Sequence, residues 1–595
     1  MKSIRSLFPP TEARRPGAIE LAGLAGLTCL AAALLLVFPT AAPAHDAAAG
    51  PRPDALPAGA EEAAGEAITP ATLLAPIHFL ADDLLEGRGP ASDGDRLTQL
   101  YLASTMGLLG LEPAGPDGSW FQPFEVVGIT SDVPGTWRFQ SADDEDSDGV
   151  ELTLSEDFVA TSGVQGPRAR IEDAELVFVG YGIEAPEYQW DDFKGADLEG
   201  KVLVMLNNDP DWDPELFEGK MRLYYGRWTY KYESAAAQGA AGAIIIHTTP
   251  SAGYPWQVVQ TGWSGEQFQL PAAGEPRLQV EAWTTEDGAK QLFELAGEDY
   301  AALVEAARER DFQPVPLGVT TSLQLDNETS RVETANVLGR LPGGDKADEV
   351  VVFTAHHDHL GVAPEGQGAD DGDRIYNGAL DNASGTAQVL AMARAASRLP
   401  EPPKRSLLFL FVGAEESGLL GSKFYAANPT VAPGRIAANI NVDGGNIWGP
   451  TRDLTLVGMG KSDLDEVAQA VAGMQGRELL ADQHPDRGYY YRSDQFSFAK
   501  IGVPALYFDT GTDFTGPEGA ERLARMESWT DEHYHQPSDE LEDWWNLDGM
   551  VQDAKLGFYA GLIAASSEEM ASWVPGDEFE AARKEALAAL EDGGE

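Results

Sequence analysis

The stretch Val350-Val-Val-Phe-Thr-Ala-His-His-Asp-His359 decides the fold, because a strand-like run ends directly in imidazole and carboxylate groups. Further apolar runs of this type lie at residues 406–412, 436–442 and 503–508. Helical patterns lie between or after them, at residues 384–397, 462–474 and 549–566. Continuous apolar strands that alternate with helices predict an α/β fold whose sheet is covered on both faces.

Acidic and imidazole side chains recur where the predicted strands end. They are His356 and Asp358 after the first strand, Glu415 and Glu416 after the second, and Asp443 at the end of the third. Asp381, in Gly378-Ala-Leu-Asp-Asn-Ala-Ser-Gly385, immediately precedes a helix. Sites in α/β sheets form beyond the carboxyl ends of the strands, so these side chains are expected to lie together.

Imidazoles and carboxylates without a thiolate suit zinc or a similar divalent ion, held as a pair bridged by one carboxylate. Each residue taken singly has a plainer explanation. Asp381 before a helix is typical of an N-cap, and a lone histidine is typical of a packed or surface residue. The joint placement at successive strand ends favours metal.

Five motifs in order give the chain a resemblance to a known family. They are Ala355-His-His-Asp-His-Leu-Gly361, Gly378-Ala-Leu-Asp-Asn-Ala-Ser-Gly385, Glu415-Glu416, Asn441-Val-Asp443 and Tyr534-His-Gln-Pro-Ser-Asp-Glu540. This set resembles the di-zinc exopeptidases that include bacterial leucyl aminopeptidases and glutamate carboxypeptidase. The resemblance implies a mixed, mostly parallel sheet flanked by helices, with an inserted β-rich protease-associated domain, and two Zn²⁺ ions per chain. Phe79-Leu-Ala-Asp-Asp-Leu-Leu-Glu-Gly-Arg88 is similar to the family's N-terminal helical opening.

Carried over residue by residue, the resemblance implies five metal ligands. His356 and Asp443 would bind one ion, Glu416 and His535 the other, and Asp381 would bridge them.

Three further residues receive catalytic roles from the same resemblance. Asp358 would orient the ligand His356, and Glu415 would be the general base that takes a proton from the attacking water. Tyr534 is similar to a tyrosine whose hydroxyl supports the oxyanion.

Two positions depart from the family pattern. His357 stands where relatives often have Tyr, and Gln495 stands where they often have His. Both are expected near the cleft, where they would alter substrate preference. Separately, Asp144-Glu-Asp-Ser-Asp-Gly149 opens like a calcium loop, but Ser155 occupies the position that needs Glu, so a solvated acidic loop is favoured.

The chain is divided into six parts by composition and resemblance. These are a signal peptide at 1–44, a flexible linker at 45–68, the N-terminal part of the peptidase domain at 69–134, the inserted domain at 135–315, the metal-binding part at 316–568, and an acidic C-terminal tail at 569–595. The last segment has a charged helical pattern, so a docking helix is the alternative to a tail.

The first 44 residues predict export. Basic residues precede an apolar run at 21–38, and Ala42-Pro43-Ala44 provides a cleavage site. The alternative is an uncleaved anchor, since 18 apolar residues are close to the minimum that spans a bilayer. Cys29 is the single cysteine of the chain, and it lies in this run. A cleaved protein would therefore have neither disulfides nor thiolate metal sites.

The formal charge of −55 bears on partners. A surface this acidic disfavours nucleic acid and anionic membranes, and peptides are the expected substrates. The first hypothesis is an exported di-zinc aminopeptidase. The alternatives are a glutamate-carboxypeptidase-like enzyme, which would grip substrate carboxylates with Arg374, Arg492 or Arg227, and a non-catalytic binding protein on the same fold. Oligomeric state is left open.

Overall fold

A computed structural model describes residues 56–142, 149–364 and 372–592 of the chain. The signal peptide at 1–44, with Cys29, lies outside the described residues, as does most of the acidic loop at 144–149. Within the described ranges no helix has both the length and the apolar character that crossing a membrane requires.

The α-helices of this part of the chain vary from one turn to five. They are Ala60–Ala67, Pro70–Leu80, Asp93–Leu108, Trp228–Ala237, Thr249–Ala252, Trp256–Gly262, Glu286–Leu295, Tyr300–Ala306, Gly385–Ala396, Leu420–Ala427, Leu464–Met474, Gln495–Lys500, Gly519–Glu532, Asp548–Ser566 and Glu580–Asp592.

Most strands belong to one extended sheet, and two short hairpins lie apart from it. The strands are Glu112–Pro113, Phe121–Asp132, Thr136–Ser141, Val150–Thr153, Phe158–Ser162, Arg168–Phe178, Glu184–Ala185, Trp190–Asp191, Val202–Leu206, Gly242–His247, Gln267–Gln269, Val280–Thr285, Val315–Leu341, Lys346–His356, Gly361–Val362, Ile375–Tyr376, Arg405–Val412, Ile436–Asn441, Asp453–Val457, Glu478–Ala481 and Ala505–Asp509.

The strand Lys346–His356 lies at the centre of the metal-binding half. It pairs in parallel with Arg405–Val412 on one side and with Ile436–Asn441 on the other. The helices Gly385–Ala396 and Asp548–Ser566 pack on these strands and bury a continuous apolar core. This arrangement confirms the predicted mixed, mostly parallel sheet flanked by helices.

The segment 135–315 joins the same sheet through one long strand. Val315–Leu341 pairs antiparallel with Arg168–Phe178 at one end and with Arg405–Val412 at the other. The described residues fall into a single compact unit by their contacts. Strands and helices are mixed in this segment, and the domain boundaries at 135 and 315, like the protease-associated family of the insert, stay predictions.

The flexible linker predicted for 45–68 is wrong over its second half. Residues 60–67 form the helix Ala60–Ala67, which packs on Gly385–Ala396. Ala60, Ala64 and Ala67 are fully buried in the core. Alanines at this helical spacing present a smooth face that lets two helices approach closely, so a composition typical of linkers forms a packed helix here.

The C-terminal segment is also better packed than a tail. The helix Glu580–Asp592 lies against the turn before the strand Ile436–Asn441. Phe579 is buried, and the buried guanidinium of Arg583 donates to the carbonyl oxygens of Ala571 (3.2 Å) and Ile436 (2.9 Å). The prediction of an acidic tail at 569–595 is therefore wrong for this helix, and the docking helix was the correct alternative.

The packing of the helix Ala60–Ala67 can be tested with one incoming side chain at two positions. Ala64→Leu forces a larger side chain into the core, so we expect the free energy of unfolding to fall by about 1–3 kcal/mol. Glu62→Leu on the exposed face should change it by less than about 0.5 kcal/mol. Urea titration of both variants measures the difference, and equal effects would contradict the packed helix.

Candidate metal centre

Three parallel strands bring the predicted ligands to one edge of the sheet. His356 is the last residue of Lys346–His356 and lies opposite Val412, and Thr354 lies opposite Asn441. The loops that follow Val412 and Asn441 therefore start at the same edge as His356. They carry Glu416 and Asp443 respectively.

Asp381 reaches this edge from a loop before the helix Gly385–Ala396. The N-cap alternative for Asp381 is wrong, because Asn382 accepts the backbone N–H of Gly385 through Oδ1 at 2.9 Å. The loop turns at Gly378, which has a φ of +55° and where a Cβ would lie 2.6 Å from the ring of His359. The side chain of Asp381 is thereby free to point at the other ligands.

The five predicted ligands converge around Asp381. Its Oδ1 lies 3.3 Å from Nε2 of His356, and its Oδ2 lies 3.4 Å from Nε2 of His535. His356 Nε2 also lies 3.2 Å from Oδ1 of Asp443, and His535 Nε2 lies 3.0 Å from Oε2 of Glu416. The two imidazoles thus face opposite oxygens of one carboxylate.

The donor set fits a divalent cation. His356, Asp381 and Glu416 each offer a ligand atom within 4.8 Å of the others. Both ring nitrogens of His535 are buried and have no hydrogen-bond partner among the described residues, although carboxylate oxygens lie close. Imidazole and carboxylate ligands without sulfur suit zinc.

Electrostatics support the same interpretation. Burial lowers the pKa of His535, but Glu416 and Asp381 outweigh it and raise the pKa to about 10. Burial raises the pKa of Asp381, yet His356 and His535 outweigh it and lower the pKa well below the ordinary value. Each group is driven towards its charged form by its neighbours, so the carboxylates of this cluster favour positive charge among them.

Asp358 contacts both the Glu415-Glu416 pair and the ring of His356, and its role in orienting His356 stays a prediction. Its Oδ1 accepts the backbone N–H of Glu415 at 3.0 Å, and its Oδ2 accepts that of Glu416 at 3.4 Å. Nδ1 of His356 lies 3.3 Å from the backbone oxygen of Asp358 and 3.9 Å from Oδ1. The carboxylate therefore holds the Glu pair, and the imidazole contacts mainly the main chain.

Glu415 and Tyr534 both line a cleft of about 480 Å³ beside His535. Burial raises the pKa of Glu415 well above its ordinary value, and Glu416 raises it further. The ring of Tyr534 lies on that of His535, with centroids 4.0 Å apart. The catalytic roles of both residues stay predictions.

The cleft's opposite wall comes from the segment 135–315. Arg227, Trp228 and Tyr254 line it from that side. Arg492, which also lines the cleft, lies over the ring of Tyr254 at 4.7 Å. Arg374, the remaining candidate for gripping a substrate carboxylate, is not among the lining residues.

The two departures from the family pattern are buried and do not line the cleft, so their effect on substrate preference stays a prediction. His357 is fully buried and its Nε2 lies 3.0 Å from Oδ1 of Asp95. Gln495 is fully buried and accepts from Nδ2 of Asn441 at 2.7 Å. Both side chains point into the interior, so neither contacts a substrate there.

Sequence reasoning missed residues that hold the ligands. His359 is fully buried, and its Nδ1 lies 2.7 Å from Oε1 of Glu416. Asp539 accepts the backbone N–H of Leu380 at 2.8 Å and that of Asp381 at 3.0 Å. Their only signal was closeness to motif residues, because His359 follows His356 by three positions and Asp539 follows His535 by four.

Comparisons with known proteins agree with this geometry. Residues 336–556 match the model of peptidase family M28. Leupeptin-inactivating enzyme 1 of Streptomyces exfoliatus is 28% identical over 232 residues, which cover 38% of this chain and 47% of that relative. Aminopeptidase YwaD of Bacillus subtilis strain 168 is 27% identical over 374 residues, which cover 61% of this chain and 63% of that relative. The chain spans less than two thirds of the length of either.

A solved structure shares the fold. The aminopeptidase from Aneurinibacillus sp. strain AM-1 superimposes with a TM-score of 0.51 at 20% identity, over 86% of this chain and 97% of that one. The family match at 336–556 includes every predicted metal ligand from His356 to His535. Residues 336–556, which carry all five predicted ligands, are therefore similar to peptidase family M28.

Proposed function

We propose that the protein is an exported di-zinc aminopeptidase that removes N-terminal residues from peptides. The observation that carries this proposal is the position of Asp381, whose two oxygens face the Nε2 atoms of His356 and His535. A carboxylate between two imidazoles is what a bridged metal pair requires. The names of the relatives, one of them an aminopeptidase, support peptide hydrolysis. Export rests on the predicted signal at 1–44.

The proposed chemistry divides among a few side chains. His356 and Asp443 would hold one ion, Glu416 and His535 the other, and Asp381 both. A bound zinc ion supplies Lewis acidity, which polarises the scissile carbonyl and makes water more acidic.

Proton transfer is assigned to Glu415. Its carboxylate accepts a proton from the attacking water and delivers it to the leaving amine. The adjacent Glu416 is held by His359, which leaves Glu415 free to face the cleft. Tyr534 is assigned the donation of its hydroxyl hydrogen to the developing oxyanion.

A carboxypeptidase of the same family is the second candidate, and two arginines favour it. Arg227 and Arg492 line the cleft, and among the described residues neither forms an ion pair with a carboxylate. The Nε of Arg227 is buried and has no hydrogen-bond partner in the part of the chain that the structure describes. In a chain of net charge −55, unpaired guanidinium groups in a cleft suit a substrate carboxylate.

Removal of the proposed base is expected to separate binding from catalysis. Glu415→Gln should keep the zinc content of the wild type but lower kcat by about 100- to 10,000-fold, because no carboxylate remains to move the proton. Glu281→Gln, which changes another acid of the same cleft, is the control and should retain activity. Activity of E415Q at the wild-type level would disprove the assignment.

Metal content tests the bridged pair directly. We expect two zinc ions per chain in the wild type after zinc incubation and dialysis, measured by elemental analysis. Asp443→Asn should lose the ion that His356, Asp443 and the bridging Asp381 would hold, whereas Asp381→Asn should weaken both. Fewer than one ion per wild-type chain would instead favour the non-catalytic binding protein.

Substrate panels distinguish the two peptidase candidates. An aminopeptidase should cleave leucyl p-nitroanilide and leave an N-acetylated peptide with a free C-terminal Glu intact, whereas cleavage of the acetylated peptide alone would reverse the choice. In that case Arg227→Gln should raise KM about 10- to 100-fold, since a charge-assisted hydrogen bond is lost. Arg277→Gln, an arginine of the same cleft already paired with Glu275 at 2.5 Å, is the matched control.

A further inference from the structure

Arg88 is the most deeply buried cation near the metal centre, with an exposed fraction of 1%. It ends the motif Phe79-Leu-Ala-Asp-Asp-Leu-Leu-Glu-Gly-Arg88, to which the proposed function assigns no role. Burial lowers its pKa to about 10, so it stays charged at neutral pH. A buried charge is costly unless it is fully satisfied, so its contacts indicate what it does.

The guanidinium donates to four backbone carbonyl oxygens. Nε donates to His357 at 3.0 Å, and Nη2 donates to Gly378 at 3.0 Å. Nη1 donates to Asn377 at 2.6 Å and also to Leu80. Among the described residues Arg88 forms no ion pair, so all the hydrogen bonds of its guanidinium go to main-chain carbonyl oxygens.

These carbonyls belong to the two loops that carry metal ligands. The carbonyl of His357 lies between the ligand His356 and Asp358, which holds the Glu415-Glu416 pair. The carbonyls of Asn377 and Gly378 begin the loop that leads to Asp381. One planar group therefore fixes the distance between the end of the central strand and the bridging carboxylate.

The loop 377–381 is held from its other side by Asp539. Its carboxylate accepts the backbone N–H groups of Leu380 and Asp381, and its carbonyl oxygen accepts that of Ala379 at 3.0 Å. Arg88 thus donates hydrogen bonds to carbonyl oxygens of this loop, and Asp539 accepts hydrogen bonds from its amide N–H groups. Side chains from outside the loop therefore bind both its carbonyl and its amide groups.

We infer that Arg88 is a positioning residue that holds the loops of His356 and Asp381 at the separation required to bind the metal pair. The inference rests on the proposed metal site, and it assigns to the N-terminal motif a role in the chemistry of a distant part of the chain. Residues that orient metal ligands change metal affinity about 10- to 100-fold when they are replaced.

The positive charge of Arg88 lowers the affinity for a metal ion, whereas its hold on the loops raises it. The test variant must therefore keep the charge. A cation beside Asp358, Asp539 and Asp381 disfavours a bound metal ion, so removing the charge would raise the affinity while loosening the loops would lower it. Arg88→Lys keeps the charge and removes the planar fork. It therefore isolates the geometric contribution.

The experiment measures zinc dissociation constants of the full chain by competition with a chromophoric chelator. R88K should bind zinc about 10-fold or more weakly than the wild type. Arg405→Lys is the control, because Arg405 is equally buried and donates to Glu349 (2.6 Å), Ala564 (2.9 Å) and Ser567 (2.7 Å), away from the site. R405K should lower the melting temperature and leave zinc affinity unchanged.

Wild-type zinc affinity in folded R88K, or an equal loss in R405K, would overturn the inference. If R88K does not fold, Asp539→Glu keeps the charge but displaces the same loop from its other side and should also weaken zinc binding; wild-type affinity in D539E would then overturn it. Failure of the proposed function has a different signature, namely zinc binding by the wild type without hydrolysis of any peptide.

Discussion

The site depends on the parallel register of three strands. Lys346–His356, Arg405–Val412 and Ile436–Asn441 run in one direction, so every loop that leaves them starts at the same edge. An antiparallel neighbour would have delivered Glu416 or Asp443 to the opposite edge, far from His356. The buried apolar strands therefore determine where the imidazole and carboxylate groups come together. The hydrophobic contacts between these strands fix the register on which that position depends.

Gathering acids at one edge has an electrostatic cost that the surrounding structure must offset. Asp358 and Asp539 are buried, and the carboxylate of each accepts hydrogen bonds from backbone N–H groups of a neighbouring loop that carries a predicted ligand. Burial nevertheless raises the pKa of Asp539 to about 6. These acids are held by dipoles of the main chain, whereas Asp381 is held by imidazoles. Asp358 and Asp539 therefore shape the loops, whereas Asp381 is placed to face a cation.

The part of the site that sequence could predict is the part that lies at strand ends or within motifs. The placement of His356, the Glu415-Glu416 pair and Asp443 at strand ends followed from the alternation of strands. The choice of the individual ligands needed the family resemblance, as did His535, which no predicted strand directly precedes. Arg88 and His359 hold the ligands through contacts across long sequence separations, which no local pattern encodes. The helix Ala60–Ala67 was missed for a related reason, since an alanine-rich segment becomes a packed helix only when a partner surface exists.

Two segments of the chain line the cleft, one with the predicted catalytic residues and the other with residues that are candidates for contacting the substrate. The metal ligands and Glu415 come from residues after 341, whereas Arg227, Trp228 and Tyr254 come from the segment 135–315. The long strand Val315–Leu341 pairs with strands of both, so the two walls share one sheet. Because the two sets of lining residues lie in different segments, substitutions in 135–315 are expected, under the proposed function, to change which substrate is accepted without disturbing the predicted ligands. Arg227, whose Nε has no hydrogen-bond partner among the described residues, is the residue of this segment that we expect to affect substrate choice most.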